Sequence, residues 1–244
     1  MEFMRDREAF SRLANRVSVD RSNWFEINAK ADDRAEIFVY SDIGWIGATA
    51  EDFIAELKDV TAPDISVRIN SMGGSVFDGI AIYNALRSHP AHITTQVDSM
   101  AASIASVIAQ AGDHRVMVEA SEMMIHEATG IALGATESDM RELADLLRNQ
   151  TEKIAGIYAN GKGDGRSKSH FLTLMRAGGS NLGTFLTPQE AVDEGLADEV
   201  FSPPTKSRNQ SPSPDTETKT PVDFASVFVD DPDEFEWFTP NQET

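Results

Sequence analysis

The chain has 244 residues, enough for one domain of moderate size with a real core plus terminal segments. Its 40 acids against 21 bases leave a net charge of −19, a surface that repels phosphate backbones and speaks against nucleic-acid binding. There is no cysteine, so disulfide frameworks and thiolate metal sites are excluded, and no apolar run of about 18 residues that would cross a membrane as a helix.

In chain order, residues 1–20 are polar, lack the apolar core of a secretory signal, and carry one short amphipathic stretch, Glu8 to Asn15. Trp24 to Lys30 alternates as a strand, and Ala35 to Tyr40 is a second, rich in β-formers. Thr49 with Asp52 three residues on reads as a helix start, followed by Phe53, Ile54 and Leu57 at helical spacing. A strand, small-residue turn and helix then recur: Ile65–Ile69, 70–75, Val76–Arg87; and Ile93–Val97, 98–102, Ser103–Ala111. Arg115–Val118 and Met123–His126 are short strands, Ser138–Tyr158 is a long helix, and Pro188–Glu194 a short one before Gly195. Ala197–Phe201 closes the domain. Alternating strands and helices predict an α/β fold with parallel strands. Residues 202–244 hold nine acids, three bases and seven of the ten prolines, which predicts a disordered acidic tail. Its aromatic end, Phe224 to Phe238, reads either as a solvated tail or as a docking peptide.

Three segments carry chemistry. Asn70-Ser71-Met72-Gly73-Gly74-Ser75 joins a strand to a helix, and its glycines permit positive φ and close approach of a ligand backbone; the plainer alternative is a structural turn. Ser103 stands at another strand-to-helix junction among alanines, where neighbouring N–H groups can stabilise an oxyanion; the plainer alternative is an N-cap. His126 ends an apolar strand, at the sheet edge where α/β active sites collect, and judged alone it is an ordinary strand-end histidine. Together they suit acyl transfer, which needs a nucleophile, a base within hydrogen-bond reach and preorganised donors. Gly73 and Ile104 N–H are the candidate donors. No metal or organic cofactor is indicated.

These blocks resemble those of ClpP-type serine peptidases. INSMGGSVFDGIAIYNAL, DSMAASIASVIAQAGDHRVM, MMIHEATG and TPQEAVDEGLADEV occur in that family's order and spacing, and the resemblance covers about residues 24–201. It implies a ClpP/crotonase-like fold of repeated βαβ units with a protruding helical arm, and the division 1–20, 21–201 and 202–244. It implies Ser103 as nucleophile, His126 as base, Gly73 and Ile104 as oxyanion hole, and Gly74 with Ser75 as the site for an extended substrate peptide. It further implies a protein or peptide substrate, a homo-oligomeric ring (a heptamer or double ring), an unfoldase partner and a cytoplasmic setting.

The stretch Ile43 to Phe53 and the long tail resemble phage and prophage members associated with prohead assembly, for which the partner is a capsid or scaffold protein. One departure bears on the chemistry. Where the family carries the acid of its triad, this chain reads 178-GGSNLGTF-185 with no acid, so either Asn181 orients the imidazole, or Ser103 and His126 act as a dyad, or an acid comes from elsewhere. Two rival readings follow: a crotonase-class acyl-CoA enzyme sharing the fold, and a degenerate peptidase ring acting as a scaffold.

Overall fold

A computed structural model describes residues 24–31, 33–44, 48–161, 165–179 and 183–203. The expected helix at Glu8 to Asn15, the acidic tail beyond Pro203 and Asn181 therefore lie outside the described residues.

A sheet begins with β1 (Phe25–Ala31) antiparallel to β2 (Arg34–Tyr40). From β2 it continues in parallel through β3 (Asp64–Ser71), β4 (His92–Ala102), β5 (His114–Val118) and, at the far edge, β8 (Glu199–Phe201). Period-two patterning explains the strands. Ile37 and Val39, Ile65, Val67 and Ile69, and Ile93, Thr95 and Val97 are buried, while the residues alternating with them are more exposed.

Parallel neighbours need crossovers, supplied here by α1 (Ala50–Lys58), α2 (Val76–Ser88) and α3 (Ile104–Ala109). The Thr49–Asp52 pair forms a full capping box that starts α1. Every residue of α3 is buried, which is why its sequence is apolar all round. Trp24, Phe25 and Phe53 close one end of the core, with Trp24 stacked on Phe53 at 5.7 Å and its indole N–H donating to Ala48 O at 2.6 Å.

The sequence predicts a turn over 98–102, but β4 runs on through Ala102. The extra length lets β4 serve two partners. Thr94–Val97 pairs with β5, and Met100–Ala102 pairs with β6 (Glu122–Ile125), also in parallel. β6 in turn takes β7 (Thr184–Leu186) antiparallel. The sheet thus forks at β4, and the junction leading to α3 lies at the tip of the fork.

The remaining helices are α4 (Glu137–Ala159), α5 (Lys168–Ala177) and α6 (Pro188–Asp193). Buried residues of α4 begin only at Gln150, so its first half extends as the expected arm while Ile154, Ala155 and Tyr158 anchor the second half. α5 and β7 were not foreseen. α5 has Ser167 as cap, with Phe171 and Met175 buried one turn apart; β7 is three residues long and takes its conformation from β6.

Candidate active site

The register of β4 and β6 brings the two chemical residues together. Ala102 pairs with Met124, Ser103 follows directly, and His126 lies two residues beyond Met124. Ser103 N–H donates to Met124 O at 2.8 Å, which fastens the junction to β6. The Ser103 hydroxyl lies 2.7 Å from His126 Nε2. For Nε2 to accept that proton the imidazole is neutral and protonated on Nδ1.

Ser103 does not cap α3. Its side chain makes no capping bond, and its backbone stands at φ 54°, ψ −126°. Positive φ is uncommon in a non-glycine residue and persists only where the surroundings impose it. Here the strained turn lifts the hydroxyl off the helix end and towards the imidazole.

Burial holds the His126 pKa below its ordinary 6.5, because the imidazolium is poorly solvated there. Among the described residues no charge opposes that effect. Among the described residues no carboxylate meets Nδ1, and the adjacent Glu127 is paired with Arg176 at 2.7 Å. Extending the β6–β7 register from the Ile125–Thr184 pair sets Gly183 opposite His126. A Cβ at Gly183 would stand 2.7 Å from His126 Cβ and 2.6 Å from Ile125 O. Gly183, the residue directly before β7, therefore packs against His126 without a side chain of its own.

The glycine pair packs as closely. Gly73 has φ +100°, and a Cβ on it would reach within 2.7 Å of Ser103 Cβ and 3.2 Å of Ile104 N. Ile104 N–H, at the first position of α3, has no acceptor among the described residues. Gly73 N–H differs from the simple expectation: it donates to Ser71 Oγ at 3.1 Å, and Ser71 Oγ donates to Ser41 O at 2.6 Å. Of the two expected oxyanion donors, one is unengaged and one shares its proton with Ser71.

At Gly74, Ile43 forms a parallel bridge, with Ile43 N–H donating to Gly73 O at 2.7 Å and Ser75 N–H donating to Ile43 O at 2.8 Å. The N–H and C=O of Gly74 itself point to the opposite edge. The Ser75 hydroxyl caps α2 by accepting from Asp78 N–H. The main-chain N–H and C=O of Ser75 are both engaged within the chain, the N–H with Ile43 O and the C=O with Gly79 N–H.

The Clp protease family profile matches residues 19–204. This chain belongs to the Clp protease family. It is 36% identical over 140 residues to the ATP-dependent Clp protease proteolytic subunit of Ligilactobacillus salivarius, covering 57% of this chain and 67% of that subunit. To the proteins of the same name it is 36% identical over 118 residues in Leuconostoc citreum and 34% over 140 residues in Bacteroides fragilis. Those alignments cover 46% and 57% of this chain, and 59% and 64% of the respective relatives. The chain therefore spans less than two thirds of the length of some curated relatives it matches.

The structure brings together Ser103 and His126, which the sequence singles out, and places two further polar residues beside them. Ser71 belongs to the glycine-turn segment, and its inward position in β3 was the available signal. Ser106, one turn into α3, is fully buried, and its hydroxyl donates to Ser103 O at 2.5 Å. Among the described residues no group of His, Asp and Glu has the arrangement of a metal site, and no helix is long and apolar enough to cross a membrane.

Proposed function

We propose that this protein is a ClpP-type serine endopeptidase in which Ser103 and His126 act as a dyad. The observation that carries the reading is the 2.7 Å contact between Ser103 Oγ and His126 Nε2 at a junction of strained backbone. Ser103 Oγ attacks the peptide carbonyl carbon as its proton passes to Nε2. The carbonyl oxygen becomes an oxyanion that takes the Ile104 N–H, joined by Gly73 N–H as the latter turns from Ser71. The imidazolium then protonates the leaving amine, and water repeats the sequence to release the acyl group. A substrate strand pairs with Gly74 along its open edge.

With burial lowering the basicity of His126 and glycine facing it across β7, the imidazolium is less stabilised than in a full triad. An orienting acid is worth up to about four decades in rate in the triad enzymes, so slow turnover is expected unless Asn181 orients Nδ1. The same feature supports a second reading, a ring that assembles but hardly cleaves.

By similarity to its relatives the protein assembles into a homo-oligomeric ring that encloses the sites, with an unfoldase as a partner. The Ile43–Phe53 segment and the acidic tail favour a role in phage prohead maturation, with a capsid or scaffold protein as substrate. The test is labelling by a fluorophosphonate probe together with cleavage of a co-expressed capsid precursor, comparing wild type with Ser103→Ala. Loss of both in the variant is expected. Cleavage that persists in Ser103→Ala overturns the assignment of the nucleophile.

A further inference from the structure

A buried hydroxyl relay runs from the long helix to the nucleophile's own peptide bond. Tyr158, near the end of α4, is 2% exposed, and its hydroxyl lies 2.8 Å from Ser106 Oγ on α3. Ser106 Oγ gives its single proton to Ser103 O at 2.5 Å. It therefore has only lone pairs to offer Tyr158, so the phenol is the donor in that contact. The direction is set: Tyr158 O–H to Ser106 Oγ, and Ser106 O–H to the Ser103 carbonyl. Ser106 N–H adds a second, longer bond to the same carbonyl at 3.1 Å.

The carbonyl of Ser103 and the N–H of Ile104 belong to one planar peptide unit and point in opposite directions. Whatever holds the oxygen on one side aims the N–H on the other. Ile104 N is the donor beside Gly73, within 3.2 Å of where a Cβ on Gly73 would stand. Ser103 at φ 54° is not at a helical minimum, so its own torsional preference does not hold the plane. A packing role alone needs no hydroxyl at either position, since phenylalanine and alanine fill nearly the same space. Two buried hydroxyls from residues 52 apart meet here and end on that oxygen.

We infer that Tyr158 and Ser106 are positioning residues: their relay fixes the Ser103–Ile104 peptide plane and so aims the Ile104 N–H at the oxyanion. This rests on the reading of Ser103 as the nucleophile. It also gives α4, whose outer half extends from the core, a mechanical link to the reaction centre.

The experiment measures phosphonylation by a fluorophosphonate–rhodamine probe over a range of probe concentrations, separating the maximal rate from the half-saturating concentration. The proteins are the full chain as wild type, Ser103→Ala, Tyr158→Phe, Ser106→Ala and the double variant, each checked for wild-type circular dichroism. Loss of a whole oxyanion donor costs about 10²–10³ in rate. Misaiming one that Ser106 N–H still restrains is expected to lower the maximal rate about tenfold, with the half-saturating concentration unchanged. Because both residues act through one bond, the double variant is expected to be no slower than Ser106→Ala alone.

Tyr158→Phe labelling at the wild-type rate, or losses that multiply in the double variant, would overturn the relay while leaving Ser103 as nucleophile. A loss carried wholly by the half-saturating concentration would also overturn it. Labelling that survives in Ser103→Ala, or a wild type that does not label, removes the peptidase reading and the relay with it.

Discussion

Gly183→Ala tests how closely β7 presses on the imidazole. The glycine has φ +67°, and its Cβ would meet Ile125 O at 2.6 Å and His126 Cβ at 2.7 Å. Holding an L-residue in the left-handed region costs about 1–2 kcal/mol, and forcing an extra carbon into a packed site about 1–3 kcal/mol. The expected loss of stability is therefore about 2–5 kcal/mol, which in a domain of this size lowers Tm on the order of 5–15 °C. An ordinary contact begins at 3.4 Å, so His126 or its strand must yield by about 0.7 Å. Displacement of a reacting group by about 1 Å is worth about a hundredfold in rate, so phosphonylation should slow at least tenfold. Gly179→Ala is the matched control. It has φ +99° but nothing within 4 Å of its Cβ, so it carries backbone strain without contact with the histidine. The assay is phosphonylation rate beside thermal denaturation for both variants. Wild-type rate and Tm in Gly183→Ala would refute the placement of β7 against His126.

Three further outcomes follow from charge and burial. Burial depresses the His126 pKa below 6.5, so the neutral base persists into mildly acidic solution and the acid limb of the labelling rate should fall below pH 6.5. Between the depressed folded value and 6.5 the unfolded chain binds more protons. The stability linked to this group is therefore full above 6.5 and is lost as pH falls through the folded value. Thermal melts of wild type and His126→Gln from pH 7.5 to 5 should show the smaller decline in the variant; parallel declines would contradict it. Arg115 is 3% exposed and donates to Asp198, Gln110 Oε1 and Gly195 O, at 2.6 Å in the closest ion-pair contact. Arg115→Met leaves the acceptors Gln110 Oε1 and Gly195 O without that donor and should cost about 1–3 kcal/mol, read as a lower denaturation midpoint in urea. An unchanged midpoint would show that the pin between β5 and the β8 edge carries little.

Local chemistry wrote much of this fold into the sequence. The Thr49–Asp52 capping box, the alternation of Ile65, Val67 and Ile69, and the apolar run after Ser103 each act over a few residues, so spacing alone revealed α1, β3 and α3. The serine and histidine were legible as candidates because each stands where a strand meets its turn. Their meeting was decided elsewhere. β4 had to continue past Asp98 to pair with β6, and Met100-Ala101-Ala102, with no alternating pattern, gave no local sign of it. β7 is a strand because β6 offers an edge, and that pairing brings Gly183, just before β7, against His126. The bond from Tyr158 to Ser106 joins residues 52 apart and satisfies two hydroxyls that burial would otherwise leave unpaired at a cost. Periodicity and capping are properties of neighbouring residues; register, burial and the pairing of distant polar groups belong to the packed chain, and only the tertiary structure could supply them.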